Sequence, residues 1–140
     1  MSISEPLVAD SELACDVAVV GAGPAGLMVA QQLVAAGLSV RVFEAKASAA
    51  RKFLMAGKGG LNLTHSEEFD RFVSRYGSRS ADLEPWLQQW GADALQAWVK
   101  DLGFDTFVGT SGRVFPTDMK AAPLLRAWLV RLKSRGVVFH

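Results

Sequence analysis

The clearest pattern in the chain is an abrupt change of hydrophobic period near its start. Asp16-Val17-Ala18-Val19-Val20 is a short apolar run, rich in β-branched residues and closed by Gly21. It has the pattern of a buried parallel strand. The period then lengthens, with Leu27, Ala30, Leu33 and Val34 at helical spacing. Pro24 stands where a first helical turn needs no N–H, and Gly37 supplies the stop. Val40, Val42 and Phe43 restore strand character up to Glu44. Strand, helix and strand within residues 16–44 predict a βαβ unit.

Residues 45–66 break the regularity. They hold four Lys or Arg side chains, no acidic ones, and three glycines within four positions. The stretch reads as a long loop of the kind that carries function or moves. Thr64-His65-Ser66-Glu67 has capping-box spacing and predicts the start of a helix there. Residues 67–103 read as helical, with Leu95, Trp98, Val99 and Leu102 forming an apolar stripe closed by Gly103. Residues 104–116 look short and extended. A last helix is predicted from about Asp118 to Arg135, with Leu124, Leu125, Trp128, Leu129 and Leu132 on its apolar face. Pro123 is tolerable there only within the first turn. Gly136 ends that helix and Val137-Val138-Phe139 begins another strand.

Strands alternating with helices predict an α/β, doubly wound Rossmann-like domain of the FAD/NAD(P)-binding type, carrying a helical insertion. The divisions expected are a tail at 1–14, a βαβ unit with its glycine-rich basic loop at 15–66, the helical insertion at 67–103 and the rest of the nucleotide-binding domain at 104–140. The last residue, His140, directly follows a nascent strand, so the sequence reads as an incomplete domain, a piece of a longer enzyme.

Composition narrows the classes. Half of the 140 residues are apolar and 21% are charged, which excludes a disordered chain. Fifteen basic against fourteen acidic side chains leave a net charge of +1, giving no electrostatic case for nucleic acid or an anionic membrane. No apolar stretch approaches the ~20 residues of a membrane span. Glu5, Asp10 and Glu12 stand where a secretory leader would be basic and apolar. With Cys15 the single cysteine, a cytoplasmic protein is the expectation. The two histidines and the cysteine lie far apart, and no metal site is expected.

The chemistry concentrates in Gly21-Ala22-Gly23-Pro24-Ala25-Gly26, a G-x-G-x-x-G turn between a strand and a helix. Gly21 permits the tight turn, Gly23 lets the backbone approach a diphosphate, and Gly26 lets the helix press on the strand. The helix start, Pro24-Ala25-Gly26, offers unpaired N–H groups and a partial positive charge to an anion. Glu44 lies 18 residues after Gly26, close to the spacing at which a carboxylate meets an adenosine ribose. It would repel a 2′-phosphate, which disfavours an NADP-type ligand in this turn. Ala45 follows it at the same edge.

Residues 16–46 are similar to the N-terminal signature of two-dinucleotide-binding flavoproteins. Arg51-Lys52-Phe53-Leu54-Met55-Ala56-Gly57-Lys58-Gly59-Gly60-Leu61-Asn62-Leu63-Thr64 resembles the "GRK…G-x-GRCN-x-T" segment of the YhiN/BaiN-like bacterial flavoproteins, which include aminoacetone oxidase-like and bile-acid reductase-like proteins. Ser111-Gly112-Arg113-Val114-Phe115-Pro116, with Lys120-Ala121, resembles that family's "GR-x-F/Y-P…KA" segment. Ala50 replaces the glycine before Arg-Lys, and Gly60-Leu61 replaces the Arg-Cys pair.

The resemblance implies noncovalent FAD, with its ADP part over Gly21–Gly26 and Glu44 and the basic loop near the pyrophosphate and isoalloxazine. Arg51, Lys52 and Lys58 can offset diphosphate charge, and the backbone of Gly57, Gly59 and Gly60 can approach a flat ring; a solvated loop is the other reading of these cations. Asn62 either bonds the flavin or caps a turn. Arg113 and Lys120 are equally open, reaching a ligand or serving their own turns. His65 is a general-acid candidate by its titration range, although a lone histidine is more often structural. Trp86, Trp90, Trp98 and Trp128 are expected in helix packing.

The function implied is a FAD-dependent oxidoreductase, or its FAD-binding part. It would pass electrons, through noncovalent FAD, to or from a small organic substrate or NAD(P)H. An NAD-dependent dehydrogenase and a non-catalytic nucleotide-binding module are the other two classes the turn allows.

Overall fold

The computed structural model describes residues 14–140. The chain forms two compact units, one of residues up to Ala49 together with Arg131–His140, the other Ala50–Val130.

In the first unit, strand β1 (Val17–Val20), helix α1 (Pro24–Ala35) and strand β2 (Val40–Phe43) make the βαβ unit that the hydrophobic period predicts. β1 and β2 pair in parallel with Val17 opposite Val40 and Val20 opposite Phe43. A third strand, β6 (Val138–Phe139), joins β2 in parallel, giving the order β1-β2-β6. Asp16 fastens the start of the sheet. Its carboxylate accepts the Ser39 N–H at 2.8 Å and the Ser39 hydroxyl at 2.7 Å. These bonds hold the Asp16 carboxyl below the usual range.

Period-two geometry puts Val19, Val40 and Val42 on one sheet face. All three are buried, as are Leu27 and Ala30 of α1, which contacts both strands. Ala18 and Val20 fall on the opposite face, where Val20 is 88% exposed. The strand pattern predicts burial on both faces, and here the structure differs. The helix of the βαβ unit covers one face, and within this unit the other stays open to solvent among the described residues.

The second unit holds α2 (Arg51–Ala56), a 3₁₀ turn (Gly57–Gly59), β3 (Thr64–His65), α3 (Phe69–Ser74), a second 3₁₀ turn (Gly77–Arg79), α4 (Ser80–Gln89), α5 (Ala92–Asp101), β4 (Thr106–Val108) and β5 (Arg113–Pro116). It also holds residues 121–130 of α6 (Ala121–Ser134). β3, β5 and β4 form an antiparallel sheet in that order. Leu61, Val99, Ala121 and Leu124 make its buried cluster, with Phe53, Leu95 and Trp98 packed against them. Trp98 and Trp128 meet edge to face at 4.7 Å. Pro123 lies in the first turn of α6, where its missing N–H costs nothing.

Three local expectations are corrected here. The long loop at 45–66 contains a helix, because Arg51–Ala56 has no glycine, proline or β-branched residue and Gly57 closes it. Thr64 and His65 do not begin a helix. They pair with Val114 and Arg113 as β3, and the helix starts at Phe69 behind Glu68; ladder pairing outweighs a capping box that has no apolar stripe directly behind it. Trp86 is 68% exposed and lacks the packing expected of all four, whereas Trp90, although 42% exposed, meets Trp98 edge to face at 6.4 Å.

Two backbone positions test this account. A Cβ on Gly26 would lie 2.0 Å from the Gly21 carbonyl oxygen and 3.3 Å from Val19 Cγ1. That oxygen belongs to a turn fixed at φ +97 and cannot give way. Gly26→Ala is expected to cost at least about 1–3 kcal/mol in urea unfolding. Ala50, which stands where the resembled family has glycine, is buried and adopts the left-handed conformation at φ 52. Relieving that strain is worth ~1–2 kcal/mol, against ~0.8 kcal/mol for the buried methyl. Ala50→Gly should leave the midpoint unchanged or raise it, where most buried truncations lower it.

Candidate functional site

The turn between β1 and α1 is built from main chain. The Gly21 N–H donates to the Phe43 carbonyl at 2.7 Å, so the turn starts tied to the end of β2. Gly23 is the N-cap of α1 and carries no side chain to satisfy the first helical N–H groups. Pro24 contributes none. The first intrahelical bond runs from the Leu27 N–H to the Gly23 carbonyl at 2.9 Å. The N–H groups of Ala25 and Gly26 therefore have no acceptor within the helix and lie at its positive end.

Gly23 has ordinary extended angles (φ −76, ψ 173), and a Cβ there would meet nothing within 4 Å. Its own unit gives no internal reason for glycine, unlike Gly21 with its positive φ or Gly26 with its close approach. The space above Gly23 is the place a Cβ would fill, and a diphosphate needs that space free.

Glu44 stands at the end of β2 and reaches back to the turn. Its Oε2 accepts the Ala22 N–H at 2.9 Å, and its Oε1 accepts the Lys46 N–H at 2.9 Å. These bonds, Ala22 first and Lys46 second, hold its carboxyl below the usual carboxylate range. Ala22 is fully buried, so its N–H must find an acceptor inside the protein. Glu44 supplies it. Each carboxylate oxygen keeps a further lone pair for a ribose hydroxyl. Sequence reasoning marked Glu44 for the sugar alone and passed over Ala22, whose part is played by a backbone group that no side-chain pattern reveals. Ala45 is exposed beside it.

The basic segment lies in the second unit. Arg51, Lys52, Lys58 and Asn62 are exposed there. Gly57 and Gly60 have packing reasons of their own. A Cβ on Gly57 would lie 2.4 Å from the Ala121 Cβ, and Gly60 has φ +110 with Met119 Cε 2.6 Å from its absent Cβ. Gly59 borders open space.

His65 has both ring nitrogens committed. Nδ1 accepts the Glu67 N–H at 3.1 Å, and Nε2 meets the Ser111 carbonyl at 3.0 Å. An accepting Nδ1 and a donating Nε2 define the neutral Nε2–H tautomer, so the ring serves to join β3 to the turn before β5. Arg113 lies exposed on β5, and its carbonyl accepts the Gly109 N–H at 2.8 Å. The Lys120 N–H donates to Asp118 Oδ1 at 3.0 Å.

Among the described residues, no group of three or more His, Cys, Asp or Glu could hold a metal ion. None of their helices is long and apolar enough to cross a membrane.

A search of curated proteins finds no match to this chain. Among solved structures, THI4 of Thermovibrio ammonificans resembles it with a TM-score of 0.58 at 20% identity. The likeness covers 93% of this chain and 39% of that one; at this identity it speaks for the fold alone. The family model of the HI0933-like protein Rossmann domain matches residues 15–140, the span that holds the glycine turn, Glu44 and both sheets. The chain therefore belongs to the HI0933-like Rossmann domain family.

Proposed function

We propose that this chain is the FAD-binding part of a flavin-dependent oxidoreductase of the YhiN/BaiN-like type, and that the turn Gly21–Gly26 with Glu44 holds the ADP portion of the cofactor. The observation that carries the reading is the pairing of a vacant position over Gly23 with a carboxylate already fixed by two backbone N–H groups. A side chain held in place before the ligand arrives loses little entropy on binding. The Ala25 and Gly26 N–H groups bind the diphosphate, and the free lone pairs of Glu44 accept the ribose hydroxyls. Bound flavin supplies two-electron chemistry; this chain's residues bind and orient it.

By the same motif resemblance, Arg51, Lys52 and Lys58 are assigned to offset cofactor charge, with the Gly57–Gly60 backbone and Asn62 near the ring. The exposure of Arg51, Lys52, Lys58 and Asn62 leaves these side chains free to do so. The substrate is a small organic molecule and NAD(P)H is the partner donor, in a cytoplasmic protein. No catalytic acid or base is assigned, since His65 is committed to structure.

Gly23→Val separates binding from folding. It should lower the thermal midpoint by no more than corresponds to the loss of a favourable N-cap residue, about 1 kcal/mol, because nothing lies within 4 Å of the new Cβ. In isothermal titration it should weaken FAD and ADP at least about tenfold by filling the cradle. If NADH binds the wild type and FAD does not, the NAD-dependent reading takes its place. Protein that binds ADP but shows no flavin reduction with any donor would be the nucleotide-binding module.

Glu44 predicts a pH dependence. Its folded carboxyl titrates below the usual value, so its ionised form, and the stability that form confers, is present above the unfolded value. That contribution is lost as pH falls through the folded value. FAD affinity, whose pyrophosphate diester does not titrate in this range, should stay flat from pH 7 to about 5 and decline only below the ordinary carboxylate range of ~4.3. Glu44→Gln, which keeps one oxygen for the Ala22 N–H, should bind more weakly throughout and lose this acid limb.

A further inference from the structure

The second unit contains a cavity of about 490 Å³ bounded by β3, the chain after it, and helices α3, α4 and α5. This volume suits a small organic ligand. One wall is apolar and aromatic, formed by Phe69, Phe72 and Leu87. Phe69 is 37% exposed, large for a phenyl ring with no other duty. Gln96 lends an amide to the lining.

The charges of the lining are one-sided. Of fifteen basic side chains in the protein, no Lys or Arg lines the cavity, whereas Glu67 and Asp93 both do. Glu67 is spent, since Arg75 holds it through Nη2 at 2.9 Å and Nε at 3.1 Å and Arg71 stands 3.4 Å away. His65 has both ring nitrogens engaged, Nδ1 with the Glu67 N–H and Nε2 with the Ser111 carbonyl. Asp93 is exposed and has no hydrogen-bond or ion-pair partner among the described residues. It is thus the one charged residue of the lining without a partner among the described residues; Arg71 and Arg75, which face Glu67, do not line the cavity. The N-terminus of α5 also faces this space and contributes roughly half a positive charge. The full negative charge of Asp93, in the first turn of that helix, exceeds it.

We infer that this cavity is a binding site for a small organic ammonium compound with an aromatic or aliphatic body, its cationic head at Asp93 and its body against Phe69, Phe72 and Leu87. An ammonium group gains from a carboxylate and from aromatic faces together, and a carboxylate ligand would gain from neither. The site lies wholly within Ala50–Val130 and does not depend on the nucleotide reading of the glycine turn.

Three probes of nearly equal shape test it: phenethylamine, 3-phenylpropionate and 2-phenylethanol, each titrated into the full chain at neutral pH. Binding is read from amide ¹⁵N shifts of Ser66 and residues 91–94. Phenethylamine should bind at least about tenfold more tightly than the other two, and Asp93→Asn should erase that preference. Phe69→Ala should weaken the amine and the alcohol alike. Asp93 and Phe69 are exposed enough for these variants to fold, which a wild-type thermal midpoint checks. Equal or tighter binding of the carboxylate would overturn the inference. So would an amine preference that survives Asp93→Asn, or the absence of shifts at these amides with all three probes.

Discussion

The glycine-rich turn depends on one hydrogen bond, from the buried Ala22 N–H to the Glu44 carboxylate at 2.9 Å. A fully buried N–H without an acceptor costs about as much as a lost hydrogen bond, so the conformation of Gly21–Gly23 is tied to an acidic side chain at the end of the neighbouring strand. The parallel register that sets Val20 beside Phe43 places Glu44 at that edge. Gly26 adds the second constraint, since only a residue without a Cβ lets the first turn of α1 lie against the Gly21 carbonyl. Sheet register, turn shape and helix placement are thus one interlocked arrangement, and its by-product is a helix start free of side-chain caps.

The proposed function rests on what that arrangement leaves unsatisfied. A helix that begins at a glycine followed by a proline has no side-chain cap, and its first N–H groups, at the positive pole, have no acceptor within the helix. The fixed carboxylate adds hydrogen-bond acceptors at the same edge. A ligand carrying a diphosphate next to a sugar satisfies both, and a dinucleotide such as FAD carries them in that order. The membership of residues 15–140 in the HI0933-like Rossmann domain family agrees with this geometry.

Much of this was legible in the sequence because it follows from period and glycine placement. The switch from Val17–Val20 to Leu27, Ala30 and Leu33 marks β1 and α1, and the G-x-G-x-x-G spacing marks the turn. What escaped was decided by tertiary pairing. Thr64 and His65 carry a helix-start pattern, yet a ladder with Val114 and Arg113 makes them a strand. Arg51–Ala56 reads as loop between small and glycine-rich flanks, yet its own residues are good helix formers. The open face bearing Ala18 and Val20 is also invisible locally, because an apolar run does not say whether both of its faces are covered. Within the site, the backbone roles of Gly21 and Gly26 could be read in advance, as could the presence of an acid at Glu44. The role of Ala22 could not, since it resides in a main-chain N–H.

The most direct test of the central claim is an ADP titration of the uniformly ¹⁵N-labelled chain, followed amide by amide. The account predicts that the largest shifts fall on Gly23, Ala25 and Gly26, with Ala22 moving as Glu44 takes up the ribose hydroxyls. Saturable shifts centred on other residues, with these four unmoved, would contradict it.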